Sequence, residues 1–233
     1  MKIKILVFSL CMSLSTAFCQ NNNVIPVTIN EKFSDFSLKT YTGENVTLSE
    51  MLGKKVMLVF VRGKVTPEIW CSICHYQYLE LVEMEDIDNL REKYNLEIFF
   101  VLPYIKDSVD NWIKAFPKSL ETVHGWKNPE NLDSISQGAK EWMKFTQEFF
   151  PKEFDFKLED FSLQLPVLMD EDQMVSKGLY LLKDEWGGTK VMQNVPTVYI
   201  IDEEGYVKFK YTSQYTNDRP DAKYLEKYLE KMF

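Results

Sequence analysis

Two cysteines separated by two residues, Cys71 and Cys74, constrain the fold of this chain more than any other feature. A continuous apolar run precedes them over residues 56–61, and its length and β-branched residues are typical of a strand buried on both faces of a sheet. From Cys71 to about residue 94, apolar residues recur every three or four positions, which predicts a helix. The sequence therefore predicts a strand, a cysteine pair and a helix in that order, with Cys71 at the start of the helix.

The segments around this unit predict an α/β protein with one central mixed sheet. Residues 97–102 form a second strand, which should run parallel to the first because a helix connects the two. Residues 33–49 alternate around a turn and predict an N-terminal hairpin, and residues 197–211 predict a second hairpin. A helix follows Pro220 and runs to residue 233. We therefore expect a sheet flanked by helices.

The middle of the chain, about residues 105–164, is long and rich in aromatic residues. Its spacing predicts two helices, one near residues 108–116 and one near residues 131–150. Three aromatic residues share one face of the second helix, which favours packing on the sheet over a ligand site. They are Trp142, Phe145 and Phe149. The sequence thus predicts an enlarged helical insertion.

The N-terminus has the features of a secretory signal peptide. Lys2 and Lys4 form a positive start, residues 5–14 are apolar, and residues 15–19 are mostly small up to Cys19. The apolar run is too short to span a bilayer. We expect cleavage near Cys19, although a lipidated Cys19 that anchors the protein to a membrane remains an alternative.

Removal of the signal defines the domain organisation and the compartment. Residues 1–19 would be the signal peptide, residues 20–32 a polar leader and residues 33–233 the folded domain. The mature protein would then be periplasmic or otherwise exported. A membrane would be involved only through a lipidated Cys19.

Charge and cysteine content exclude several functions. The chain has 27 basic and 35 acidic residues, and two of the basic ones lie in the signal, so nucleic acid is a poor partner. Without the signal, Cys71 and Cys74 are the remaining cysteines. They supply two of the four ligands of a structural zinc site, and His75 and His124 are the only histidines. We therefore expect no metal and no cofactor.

The position of Cys71 indicates redox chemistry. Backbone amides and the helix dipole stabilise a thiolate at a helix start, so Cys71 is the candidate nucleophile. Cys74 lies one turn later, where it can attack a mixed disulfide formed at Cys71. The alternative is a local structural disulfide, although closing so small a loop would stabilise the fold only modestly.

Two short motifs resemble the thioredoxin superfamily. Residues 70–74 read Trp-Cys-Ser-Ile-Cys after the first strand, and residues 195–197 read Val-Pro-Thr before a later strand. The segment 35–38, Asp-Phe-Ser-Leu, with Gly43 and residues 46–48, is similar to the redoxin branch, which holds peroxiredoxins and exported thioredoxins of disulfide reduction and cytochrome c maturation. The resemblance implies a thioredoxin-like fold over residues 33–233, apart from the enlarged middle.

The resemblance also implies a role for each site residue. Cys71 would attack and Cys74 would resolve, while Trp70 would flank the site. Pro196 would be a cis proline facing the cysteines, and the backbone groups of Val195 would be available to an extended substrate. An ordinary trans proline at a strand start is the alternative.

The chain departs from the family pattern near the cysteines. Residues 64–69 lengthen the path from the strand to Trp70, and the family's buried carboxylate is replaced by Gln77 on the helix. His75, Glu80 or water are therefore the candidates for proton transfer.

The sequence-based functional hypothesis is an exported thiol-disulfide oxidoreductase that acts on protein thiols or disulfides and works with an unidentified redox partner protein. A peroxiredoxin-like thiol peroxidase is the first alternative. Such enzymes carry threonine or serine where this chain has Glu68, and they use an arginine, for which Arg62 is available. The second alternative is a non-enzymatic binding module with a structural disulfide.

Overall fold

The computed structural model describes residues 24–232, so the predicted signal peptide lies outside the described residues. The strands are β1 (Ser37–Thr40), β2 (Asn45–Thr47), β3 (Lys55–Phe60), β4 (Leu96–Leu102), β5 (Val167–Met169), β6 (Leu182–Lys183), β7 (Gln193–Asn194), β8 (Thr197–Ile201) and β9 (Val207–Thr212). The helices are α1 (Ser72–Asp88), α2 (Leu90–Tyr94), α3 (Lys106–Lys114), α4 (Phe116–Lys127), α5 (Gln137–Phe149), α6 (Met174–Gly178) and α7 (Ala222–Met232).

A seven-stranded mixed sheet with the order β2-β1-β5-β4-β3-β8-β9 forms the centre of the molecule. Strand β3 runs parallel to β4 and antiparallel to β8, and the hairpin of β1 and β2 lies at one edge. The predicted thioredoxin-like α/β fold, with its central mixed sheet, flanking helices and N-terminal hairpin, is confirmed. The short sheet of β6 and β7 was not predicted from the sequence.

Strand β3 is buried on both faces, as its continuous apolar run predicts. Met57 and Val59 belong to the core beneath α1, α3, α4 and α7, whereas Leu58 and Phe60 belong to the core on the opposite face. Each fully buried aliphatic or aromatic side chain contributes roughly 1.5–3 kcal/mol. The carboxyl end of this central strand is therefore a rigid point from which the cysteine segment starts.

The insertion contains three helices within its described residues, where the sequence predicted two. Helix α4 was missed, and Pro117 lies in its first turn, where proline costs no hydrogen bond. Of the aromatic face of α5 that was expected to pack on the sheet, Phe145 alone packs against the core that contains the sheet residues. The rings of Phe145 and Phe149 lie 4.5 Å apart and stack on each other, and the side chain of Phe149 is 49% exposed. The aromatic rings of α5 therefore contact mainly one another and Trp126 of α4, and they remain partly exposed.

The leader is tied to the sheet rather than separate from it. Val24 and Val27 are buried in the core opposite α1. The amide of Val207 donates to the carbonyl of Glu31 at 2.9 Å, so residues before the expected start of the domain cover the edge of β9. Covering an edge strand in this way blocks pairing with other chains.

Candidate active site

The residues between β3 and the cysteines form a closed loop. Gly63 accepts a hydrogen bond from the amide of Cys71 at 2.9 Å, and Lys64 and Trp70 pair as a β-bridge. The extra residues 64–69 therefore project as a small hairpin and leave Cys71 directly against the end of the strand. Gly63 has φ +80°, and a Cβ atom there would lie 2.5 Å from the ring of Tyr104, so the position requires glycine.

Cys71 is the N-cap residue of α1, and Cys74 lies in the first turn. Both thiols are unpaired and buried, with exposed fractions of 3% and 0%. The pKa of Cys71 is lowered, first by a hydrogen bond from the Cys74 thiol and then by the positive charges of Arg219 and Arg62, which outweigh burial. Burial and the neighbouring Cys71 raise the pKa of Cys74 well above its ordinary value. The arrangement therefore favours one thiolate, on Cys71.

Arg62 is held beside the cysteines by a loop between β6 and β7. Its Nε donates to Oε1 of Gln193 at 2.6 Å, and its Nη2 donates to Oγ1 of Thr189 at 2.8 Å and to the carbonyl of Trp186 at 3.3 Å. The guanidinium also lies over the Trp186 ring, 5.1 Å from its centroid. Burial lowers the pKa of Arg62 although both cysteines oppose that shift. The loop thus fixes a buried positive charge near Cys71.

Arg219 supplies a second buried guanidinium from the segment before α7. Its Nη1 donates to Oγ of Ser213 at 3.0 Å and lies 3.7 Å from the carboxylate of Asp218. Its Nε and Nη2 are buried and have no hydrogen-bond partner within residues 24–232. The guanidinium keeps two donors available close to the thiolate that it stabilises.

Trp70 forms a wall of the site. Its ring meets the ring of Tyr104 edge-on at 5.3 Å, and the ammonium of Lys64 lies 5.4 Å from the centroid of the indole. The hydroxyl of Tyr104 donates to the carbonyl of Met192 at 3.1 Å, and burial raises its pKa to about 12. Trp70 therefore adjoins the cysteines but is itself nearly buried.

The expectation of a cis Pro196 is wrong, because no peptide bond among the described residues is cis. Pro196 immediately precedes β8, and its carbonyl accepts from the amide of Ser213 at 2.9 Å. The amide of Val195 donates to the carbonyl of Leu181 at 2.8 Å, and the carbonyl of Val195 accepts from the Thr197 hydroxyl at 3.1 Å. The backbone groups of Val195, expected to be available to a substrate, are thus used inside the fold.

His75 faces away from the cysteines and into the helical insertion. Its Nε2 lies 3.0 Å from the carbonyl of Trp112, which can only accept, so Nε2 carries the proton. Nδ1 then accepts from the hydroxyl of Ser119 at 2.7 Å. Burial lowers the pKa of His75 to about 3. Both ring nitrogens are engaged, which leaves His75 no nitrogen for proton transfer to Cys74.

Two carboxyl groups that the sequence singled out lie in different environments. Glu68 is exposed and accepts from the hydroxyl of Thr66 at 3.2 Å, on the outer side of the hairpin. Glu80 is buried on α1, and burial followed by the charge of Asp221 raises its pKa to about 8. Gln77, between Glu80 and the cysteines, donates from Nε2 to the carbonyl of Pro220 at 3.2 Å.

Residues 24–232 show neither a cluster of metal-ligating side chains nor a membrane-spanning helix. These residues contain no group of three or more histidine, cysteine, aspartate or glutamate side chains placed to hold a metal ion. None of their helices combines the length and apolar character needed to cross a bilayer.

Comparison with known proteins supports the fold and one family. The model of the AhpC/TSA family matches residues 29–210. Enterococcus faecalis AhpC is similar in structure, with a TM-score of 0.54 and 15% identity over 88% of this chain and 92% of that one. A cysteine-to-serine mutant of Xylella fastidiosa PrxQ has a TM-score of 0.52 and 13% identity over 88% and 95% of the two chains. No curated protein matches the sequence.

Proposed function

The chain belongs to the AhpC/TSA family, in the redoxin branch of the thioredoxin superfamily, and we propose that it exchanges disulfides with protein partners through Cys71 and Cys74. The family and the fold support a thiol-based redox enzyme. The geometry of the cysteine pair supports the finer assignment. Export from the cytoplasm, inferred from residues 1–19, is part of the same proposal.

The reaction has two steps. The Cys71 thiolate attacks one sulfur of a partner disulfide, forms a mixed disulfide and releases the partner's other sulfur as a thiolate. Cys74 then loses its proton and attacks Cys71, which forms the Cys71–Cys74 disulfide and releases the partner with two thiols. The partner gains two electrons and the enzyme loses two. The reverse sequence oxidises a partner.

One observation carries the proposal. Cys71 caps the start of α1 and Cys74 lies buried in the first turn of that helix, and the pKa values of the two cysteines move in opposite directions. A structural disulfide requires no such difference. Nucleophilic and resolving cysteines do require it, because attack needs a thiolate and the resolving thiol must wait for the mixed disulfide.

Mixed-disulfide trapping tests the two roles. We expect Cys74→Ser to accumulate mixed disulfides with exported proteins through Cys71, because the second step is blocked while the first is intact. Cys71→Ser is the matched control and should trap few. Equal trapping by both variants would contradict the assignment.

Hydroperoxide reduction is the second candidate function, and the two guanidinium groups favour it. Arg62 and Arg219 stabilise the Cys71 thiolate, and two donors of Arg219 have no partner in the described part of the chain. Cys71 would attack the terminal peroxide oxygen and become a sulfenic acid as the alcohol leaves, and Cys74 would then form the disulfide with loss of water. The nearly complete burial of Cys71 suits so small a substrate.

Peroxide consumption by the reduced protein tests this second function. We expect Arg219→Gln to slow peroxide consumption by roughly 10²-fold, as removal of one preorganised donor does in other enzymes. Exchange with a disulfide-containing peptide should slow less, because sulfur disperses the charge of the leaving thiolate. Absence of peroxide consumption by the wild-type protein would leave disulfide exchange as the function.

A further inference from the structure

A narrow groove with a volume of only about 10 Å³ lies along α1 beside the cysteine pair. It is bounded by α1, the end of α5 and the start of α7, and Ile73 and Arg219 line the end nearest the cysteines. The far end opens into a cavity of about 370 Å³. Glu80, Phe149 and Asp221 line both parts, so the groove and the cavity are continuous.

Glu80 is the group in this groove that points to a ligand. Its side chain is only 7% exposed, and its carboxyl group has no hydrogen bond or ion pair with any residue between 24 and 232. The oxygens of this carboxyl group open into the cavity, where a cationic ligand can supply the partner that the described part of the chain does not. Nothing in the proposed redox steps requires a carboxyl group at this distance from the cysteines.

The other walls of the cavity define the chemistry of that ligand. Glu148 and Asp221 bring two further carboxyl groups to it, while Met84, Phe149 and Pro151 supply apolar surface. Apolar surface of this kind packs against the methylene groups of a long basic side chain, and an aromatic face attracts its cationic end.

Two lysines also line the cavity, and their positive charges would oppose a cationic ligand unless they are balanced. Lys152 forms a salt bridge with Glu83, so its charge is already balanced. Lys223 is exposed on α7. Glu148 and Asp221 therefore outnumber the one unbalanced lysine, and Glu80 adds a negative charge when it ionises near pH 8, so the cavity favours a positive ligand.

We propose that a partner polypeptide lies over the surface beside the groove and that the cavity around Glu80 receives a lysine or arginine side chain of that partner. The proposal rests on the proposed function, because a protein that exchanges a disulfide at Cys71 must lie against the first turns of α1. Val195 and Pro196 have their backbone groups bonded within the fold, so partner recognition falls to this other side of the site. The formal charge of −8 adds attraction for a basic partner.

Two short peptides test the cavity directly. One is acetyl-Gly-Lys-Gly-amide and the other carries norleucine in place of lysine, so they differ only in the charged group. Binding to the full chain is followed by NMR shifts of groove residues. At pH 9, where Glu80 is ionised, we expect the norleucine peptide to bind at least about tenfold more weakly. Equal binding of the two peptides, or shifts confined to residues outside the groove, would overturn the proposal.

The pH dependence and two matched variants sharpen the test. Affinity for the lysine peptide should rise from pH 7 to pH 9, because a cation requires the ionised carboxyl of Glu80, and the peptide itself keeps its charge. Other charged groups face the same cavity or its rim, and all of them remain in the variants described next; they are Asp221, Glu83, Glu148, Lys152 and Lys223.

Glu80→Gln keeps the shape of the protonated side chain and should lose both the tenfold preference for the lysine peptide and the rise of that preference with pH. Glu141→Gln removes one exposed charge elsewhere on α5 and should retain both. Equal losses in the two variants would show a net-charge effect and overturn the proposal.

This measurement is independent of the cysteine chemistry. Repeating it in Cys71→Ser, which cannot exchange disulfides, should leave peptide affinity unchanged. If the lysine peptide binds preferentially but mixed-disulfide trapping fails, the proposed ligand cavity is supported and the proposed disulfide exchange is contradicted. If trapping succeeds while the lysine and norleucine peptides bind equally, the proposed disulfide exchange is supported and the binding of a basic side chain near Glu80 is contradicted.

Discussion

At the scale of single residues, the pKa of Cys71 depends on neighbouring side chains. Some of these neighbours can be predicted from the sequence and others cannot. Cys74 is recognisable from its spacing, and its thiol makes the largest contribution to the lowered pKa of Cys71. Arg219 could not be predicted, because a single arginine before the last helix carries no local pattern. Its proximity to Cys71 arises only when α7 packs against α1. Arg62 was visible as an arginine at a strand end, but the loop that holds it was not.

The contribution of Cys74 can be measured by titrating the Cys71 thiolate. The wild-type thiolate should form with a pKa of about 6, against 9.0 for an ordinary thiol, so it is present above pH 6 and lost below. Cys74→Ala should raise that pKa, because the largest stabilising hydrogen bond is removed. Ser72→Ala, in the same helical turn, should leave it unchanged. Thiolate absorbance against pH measures the effect, and an unaltered pKa in Cys74→Ala would contradict this explanation.

Gln193 is expected to position Arg62. Gln193→Met keeps the approximate size of the side chain but removes the acceptor for Arg62 Nε, and should destabilise the fold by about 1.5–3 kcal/mol. It should also raise the pKa of Cys71, because the guanidinium is no longer fixed beside the thiolate. Lys190→Ala in the same loop alters a side chain that is 81% exposed and is the control. Urea unfolding and thiolate titration together check both effects, and a destabilised protein with an unshifted Cys71 pKa would make Gln193 purely structural.

At the scale of elements, the insertion is attached to α1 through His75. The ring bonds to Trp112 of α3 and Ser119 of α4 and contacts the ring of Phe116 at 4.2 Å. Sequence spacing predicted where the insertion lies but missed α4 and the inward direction of His75. Both depend on how three helices pack, which a pattern of period 3.6 does not specify.

This attachment predicts a loss of stability in acid. The pKa of His75 is about 3 in the folded protein and 6.5 ordinarily, so between these values the unfolded chain binds a proton that the folded chain does not. Stability should therefore fall as the pH decreases below 6.5, by up to about 1.4 kcal/mol per pH unit from this residue. His75→Gln should lose less stability than wild type between pH 6.5 and pH 4.5. Urea unfolding at both pH values measures this, with the exposed His124→Gln as control; an equal loss in all three proteins would refute it.

At the scale of the whole molecule, the fold was predictable because its central signals are local and agree with one another. The apolar run of β3 and the helical spacing after Cys71 predicted one βαβ unit, and the hairpin of β8 and β9 completed the sheet. The isomer of Pro196 was not predictable, because it depends on the backbone bonds that β9 and the segment after α6 offer to residues 195–197. Sequence motifs therefore located the candidate site, while long-range packing determined which charged side chains surround it.

The most direct test of the central claim is a non-reducing peptide map of the protein after oxidation. The reduced protein is treated with one equivalent of a disulfide or of hydroperoxide, alkylated and analysed by mass spectrometry. We expect the peptide containing Cys71 and Cys74 to lose two hydrogen atoms and to resist alkylation, because the two thiols have joined. Persistent sulfenic or sulfinic acid on Cys71, or a bond from Cys71 to another chain, with Cys74 still alkylated, would contradict it.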